Sequence, residues 1–154
     1  FLLICTNTMH KLADQVADAI NIPLLHIADA TAATILSAGS SKIGLLGTRF
    51  TMEEDFYRGR LEKHHDLEVL IPGADDRRLV HDVIYDELCL GTIREESRLA
   101  YTRIIDRLVS QGAQGVILGC TEISLLVKPE HATCPLFDTT RIHAIRAVDR
   151  ALTD

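Results

Sequence analysis

Two short polar turns hold the residues with the most evident chemistry. Cys5-Thr6-Asn7-Thr8-Met9-His10 follows the apolar run Phe1-Leu2-Leu3-Ile4, and Gly119-Cys120-Thr121-Glu122 follows Val116-Ile117-Leu118. A short apolar, partly β-branched run reads as a strand of a buried parallel sheet. A polar turn straight after such a strand lies at the sheet's carboxyl edge, where open α/β folds bind ligands. Cys120 there faces the amino terminus of the next helix, whose unpaired N–H groups and partial positive charge favour thiolate over thiol. The plainer reading is a buried free cysteine acting as a small apolar side chain. A third turn, Thr48-Arg49-Phe50-Thr51, follows the run Ile43 to Gly47. Between them the turns offer Thr6, Asn7, Thr8, Thr48, Thr51, Thr121 and Glu122 beside helix-start N–H groups, a set suited to a small carboxylate-bearing ligand. No Walker loop or G-x-G-x-x-G is present, so no nucleotide cofactor is expected, and no H-E-x-x-H or comparable ligand set points to a metal.

The 154 residues are 47% hydrophobic and 25% charged, enough apolar material for one sizeable core or two small ones. The net charge of −6, without a basic cluster, argues against nucleic acid and anionic membrane as partners. No apolar run approaches a transmembrane span. Cys5, Cys89, Cys120 and Cys134 lack zinc spacing and do not resemble a disulfide scaffold, so a reducing cytoplasm with free thiols is expected. The chain opens directly on an apolar strand with no signal peptide, which reads as the interior of a longer parent chain.

The elements that must position these turns alternate between the two periods. Lys11 to Ile20 reads as a helix with Leu12, Val16 and Ile20 on one face. Leu24 to Ile27 is a short strand, Asp29 to Ser37 a helix, and Lys42 to Gly47 a strand. Met52 to His64 is predicted as one helix, with Glu53, Glu54 and Asp55 in its first turn. Leu67 to Ile71 is a strand; Asp75 or Asp76 caps a helix reaching about Leu90, and a second helix runs from about Arg94 to Gln111. Cys134 to Phe137 is a last strand and Asp138 to Leu152 a last helix. Regular alternation of strand and helix means an α/β protein with parallel sheets.

CTNTMHK at Cys5 to Lys11 and ILGCTEISLL at Ile117 to Leu126 closely resemble the two signature motifs of the aspartate/glutamate racemase family. GLLGTRFTMEEDFYRGRL at Gly44 to Leu61 and PLFDTTRIHA at Pro135 to Ala144 resemble further family segments. The likeness covers essentially the whole chain and is greatest to the L-aspartate/glutamate-specific or broad-specificity amino-acid racemases. It implies two pseudo-symmetric α/β domains with parallel four-stranded sheets flanked by helices and the active site in the cleft between them. The implied division is discontinuous: residues 1–25 and 134–154 in domain one, lacking its amino-terminal part, and 26–133 in domain two. The partner implied is a small amino-acid substrate; a homodimer is compatible with the sequence, which does not specify the oligomeric state.

The resemblance also implies cofactor-independent racemisation. Inverting an α-carbon needs a base on one face and an acid on the other, which two cysteines from the two halves supply. The carbanion-like transition state needs its carboxylate held by fixed donors. Asn7, Thr8, Thr48 and Thr121 match such donors, with Thr51, Glu122 and His10 also expected at the substrate. The chain departs from the family at one position: the first motif is usually Cys-Asn-Thr, and here it is Thr6-Asn7-Thr8. Strand alternation is expected to turn Cys5 into the core and leave Thr6 in the cleft. A threonine hydroxyl does not ionise near neutral pH, so Thr6, Cys5, His10 or a water all stand as the second acid/base. Cys120 is then the principal catalytic residue. Cys89 reads as a buried filler, and no lysine stands near it as in some family members. A single retained cysteine also fits a related decarboxylase or maleate-isomerase-like enzyme, and a non-catalytic amino-acid-binding paralogue is the reading from another class.

Overall fold

A computed structural model describes residues 1–153. Its elements, in chain order, begin with β1 (Leu2–Leu3), a 3₁₀ turn at Thr8–Leu12, α1 (Ala13–Asp18), β2 (Leu24–Leu25) and α2 (Ile27–Ser37). Then come β3 (Lys42–Gly47), α3 (Arg49–Glu53), α4 (Arg58–His65), β4 (Glu68–Leu70) and α5 (Ala74–Asp86), with a 3₁₀ turn at Leu88–Leu90. The chain continues through α6 (Glu95–Ser110), β5 (Val116–Gly119), α7 (Ile123–Leu126), β6 (Leu136–Asp138) and α8 (Thr139–Thr153).

All strand pairs are parallel, in one sheet of order β4-β3-β5-β6 and a two-stranded sheet β1-β2. The α/β class with helix-flanked parallel sheets is therefore as expected. The apolar runs in β3 and β5 are buried on both faces, which is why they read as continuous rather than alternating. Around them Ile43, Leu45, Leu46, Val116, Ile117 and the ring of Tyr101 form the core, and Tyr101 anchors α6 to α5 by donating its hydroxyl to the Val80 carbonyl at 2.8 Å.

Three expectations need correction. The segment from Met52 to His64 is two helices. Thr48 caps α3 by accepting from Thr51 N–H, so that helix starts earlier, and Glu54 is extended (ψ 152°). The break lets Tyr57 turn fully inward, and it leaves Glu53 at the end of α3, with Glu54 and Asp55 in the link. Gly73, not Asp75 or Asp76, is the N-cap of α5; both aspartates lie in its first turn. Finally, β6 pairs with β5 through Val116↔Leu136 and Leu118↔Asp138, so the strand expected in domain one belongs to the four-stranded sheet. Helix α8 does reach the first unit: His143 Nε2 donates to the Leu25 carbonyl at 2.8 Å. Residue 154, placed with domain one above, lies outside the described residues.

The β3–β5 register pairs Gly47 with Gly119, so Thr48 and Cys120 leave adjacent strands at one level. Both glycines are required by close approach. A Cβ on Gly119 would lie 2.8 Å from the Leu46 carbonyl oxygen, and one on Gly47 would lie 2.9 Å from that of Gly119. Gly119→Ala should therefore force the strands apart and cost about 1–3 kcal/mol, as overpacking does. The check is the urea midpoint, with the m-value unchanged; a variant as stable as the parent would show that the strands tolerate the added methyl.

Candidate active site

A cleft of about 410 Å³ opens where the three turns meet. Its walls are the turn after β1 (Cys5, Thr6, Asn7, Thr8, Met9), Thr48 after β3, Gly119 to Glu122 after β5, and Ile84, Tyr85 and Cys89 from the α5 end. Thr48 and Cys120 meet because β3 and β5 are adjacent, parallel and end at the same edge, while the turn after β1, which belongs to the separate two-stranded sheet, completes the lining. Of the expected site residues, Thr6, Asn7, Thr8, Thr48, Cys120, Thr121 and Glu122 line the cleft, while His10 and Thr51 do not.

Cys5 does not point into the core. It is exposed and lines the cleft beside Thr6. Alternation fails because β1 ends at Leu3 and the chain bends at Cys5, so no pleat orders the two side chains. Cys89 is likewise exposed at the cleft rather than a buried filler, because the 3₁₀ turn at Leu88–Leu90 buries Leu88 instead. Ile84, Tyr85 and Cys89 carry no motif; only the docking of α5 against the sheet brings them to the turns.

The threonines form a connected group. Thr8 Oγ1 lies 3.0 Å from Thr48 Oγ1, Thr48 lies 3.2 Å from Thr51, and Thr8 to Thr51 is 3.4 Å. Thr51 is fully buried and holds Thr48 from behind. Asn7, 2% exposed, donates from Nδ2 to Thr139 Oγ1 at 3.0 Å, and that hydroxyl donates to the Leu118 carbonyl at 2.9 Å. The chain Asn7–Thr139–Leu118 ties the first turn to β5. It also leaves Asn7 Oδ1 buried without a partner. An orphaned amide oxygen costs about 1–3 kcal/mol and is an acceptor suited to an ammonium group.

His10 supports the first turn from within. Its Nδ1–H donates to the Thr6 carbonyl at 2.8 Å, and Nε2 accepts from Ile27 N–H at 3.2 Å. Both ring nitrogens are occupied, which leaves none for a proton relay in the cleft. The ring packs against His26 (centroids 4.4 Å) and His143 (6.0 Å). Burial above all, opposed by the Thr6 bond and reinforced by the His143 and Arg60 charges, lowers the His10 pKa to about 4. Burial also lowers His26 to about 3, with the His10 and Arg60 charges adding.

Cys120 is 8% exposed, and its thiol donates to Glu122 Oε2 at 3.0 Å. Burial, then the bond to Glu122, pushes the thiol up to about 12. The expected thiolate at a helix start is therefore corrected. The following helix, Ile123–Leu126, is only four residues long, and burial plus a neighbouring carboxylate outweigh its dipole. Burial alone would raise Glu122, but hydrogen bonds from Cys120, Thr121 and its own amide hold it below the ordinary carboxylate range. At rest the pair is a thiol beside a carboxylate, with a proton positioned at the cleft wall.

A family model described as Asp/Glu/Hydantoin racemase matches residues 1–147. The chain belongs to this racemase family. A Yersinia pestis protein whose crystal structure carries a provisional Asp/Glu racemase assignment is 59% identical, with a TM-score of 0.93. An aspartate racemase homologue from Pyrococcus horikoshii is 35% identical, with a TM-score of 0.86. Each is matched over 97% of this chain and 65% of the relative, so the chain spans somewhat less than two thirds of their length. The Francisella tularensis glutamate racemase, solved with D-glutamate, shares the fold at 17% identity and a TM-score of 0.72, over 98% of this chain and 56% of its own.

Glu122→Gln removes the charge and the anionic acceptor that both raise Cys120. The variant thiol should titrate at lower pH and react faster with iodoacetamide at pH 8–9; an unchanged pH–rate curve would show that Glu122 does not govern the thiol. The histidines make a separate prediction. Folded His10 and His26 titrate below the ordinary value of 6.5, so between pH 6.5 and about 4 the unfolded chain binds more protons. Their stabilisation is present above pH 6.5 and is lost as pH falls toward 4. From pH 7 to pH 5 each should cost on the order of 2 kcal/mol, seen as a drop in the urea midpoint; equal midpoints at the two pH values would contradict the histidines' neutral burial.

Proposed function

We propose that the protein is an isomerase that racemises aspartate or glutamate without a cofactor, in the cytoplasm, with L-enantiomers the preferred substrates. The observation that carries this is the buried Cys120 thiol, hydrogen-bonded to Glu122, in a cleft whose opposite turn bears Cys5, Thr6 and the unpartnered oxygen of Asn7. Family membership supplies the reaction class. The orphaned Asn7 oxygen accepts from the substrate ammonium. Thr8, Thr48 and Thr121 hold the α-carboxylate and oppose the charge that develops on it as the α-proton leaves. Thr51 fixes Thr48, and His10 fixes the Thr6 carbonyl, each as a positioning residue.

The proton bookkeeping follows from the resting pair. For removal, Cys120 must first lose its proton to water, against the burial and the Glu122 charge that hold it on sulfur; the thiolate then takes the α-proton, leaving the electron pair on the α-carbon and its carboxylate. For return, a proton reaches the other face from the first turn, through Thr6 and a water or from the adjacent Cys5 thiol. In the reverse sense Cys120, already a thiol, delivers its proton directly. Because a threonine is a poor base, removal from the Thr6 side is the slower half-reaction, and catalysis is handed.

The test is enantiomer-resolved proton exchange in deuterated water with L- and D-aspartate and L- and D-glutamate. Exchange should be faster from the L-substrates. Cys120→Ser should lower it at least 100-fold, and Thr6→Cys should raise exchange from the D-substrates. Equal rates from both enantiomers, or a Cys120→Ser variant of parental activity, would sink this mechanism.

A further inference from the structure

A second pocket, of about 220 Å³, lies against His10 between the 3₁₀ turn with α1 and the link into α4. His26 lines it and is 4% exposed. His26 Nδ1 accepts from Ala28 N–H at 3.1 Å as the N-cap of α2, so the proton of the neutral ring is on Nε2. That N–H has no hydrogen-bond partner among the described residues. Arg60 also lines the pocket. Its Nε and Nη2 clamp Asp29 at 2.7 Å each, while Nη1 makes no hydrogen bond among the described residues. Lys11 borders the same space, exposed and 3.4 Å from Glu54. Two acidic groups are present as well: Asp55, already paired with Lys63, and the exposed Asp14.

His26 brings an N–H donor with no protein acceptor to the wall of a pocket that also holds an unused guanidinium nitrogen. The complement to such a donor pair is an oxygen anion. We propose that this pocket binds a small oxyanion, carboxylate or phosphate, on His26 Nε2–H and Arg60 Nη1. The site is distinct from the cleft, sharing no residue with its lining except through the chain neighbours of His10. It is nonetheless coupled to it: His10 borders this pocket and its Nδ1–H holds the carbonyl of Thr6. An anion seated there acts on the position of the first turn.

The test needs no turnover and so stands or falls apart from the racemase reading. Inorganic phosphate and, separately, acetate are titrated into isotope-labelled protein at pH 7.5 and constant ionic strength, with the imidazole and guanidinium resonances followed by NMR. One anion should shift His26 Nε2 and Arg60 saturably in the millimolar range; saturation by phosphate alone marks a tetrahedral ligand and by acetate alone a carboxylate, and either supports the site. His26→Asn, which keeps an acceptor for Ala28 N–H, should weaken binding at least tenfold. A linear, unsaturable shift, shifts confined to Thr48 and Thr121, or undiminished affinity in His26→Asn would overturn the proposal. Should that variant fail to fold by circular dichroism, the titration of the unaltered protein decides.

Discussion

The close pairing of β3 with β5 is the constraint on which the site depends. Gly47 sits opposite Gly119, each too near the other strand's carbonyls to accept a side chain. The register brings Thr48 and Cys120 out of the sheet side by side, and the parallel direction makes both emerge at the carboxyl edge. The glycine pair holds that register, since a slip of one residue would set a side chain where only Gly47 and Gly119 fit against the facing carbonyls. The first turn reaches the same place by a different route, through Asn7, Thr139 and the Leu118 carbonyl, so β5 anchors both walls of the cleft.

Two buried clusters of titratable groups then set the chemistry in opposite ways. At Cys120, burial and the Glu122 carboxylate act together to keep the proton on sulfur. At His10 and His26, burial keeps the proton off the rings, and their nitrogens serve as neutral donors and acceptors for backbone groups. The first cluster holds a proton at the wall of the cleft. The second holds a loop in place and makes the fold depend on those rings staying neutral. Asp29 lies at the edge of the second cluster, held to about 2 by its bonds to Arg60 and His65 against the cost of its own burial. That fixed ion pair orients Arg60 and leaves one of its nitrogens unused.

Much of this was legible in local sequence. The strand runs of β3 and β5, the polar turns after them and the α/β class follow from periodicity and from residue types whose preferences are local. Thr6, Asn7, Thr8, Thr48, Cys120, Thr121 and Glu122 are legible because each lies in a polar turn that follows an apolar run. The errors share a different origin. Placing Cys5 in the core requires a strand that reaches it, yet the pleat stops at Leu3. Cys89 reads as a buried filler and Tyr85 carries no signal at all, because a helix end gives no sign of what it will face. Which sheet the last strand joins is not legible either, because pairing partners are chosen by packing over long range, not by the strand's own residues.

By itself, then, the sequence determined the types of element and the residues available at each strand end. Those are properties of short segments, where backbone preference and hydrophobic period suffice. The tertiary structure alone decided the protonation of Cys120 and the role of His10. Helix position predicted a thiolate and left His10 as a candidate for the cleft; the folded chain gives a thiol and a ring with both nitrogens engaged. The physical reason is that a pKa depends on the desolvation and charges that surround a group in three dimensions, and neither has a signature along the chain.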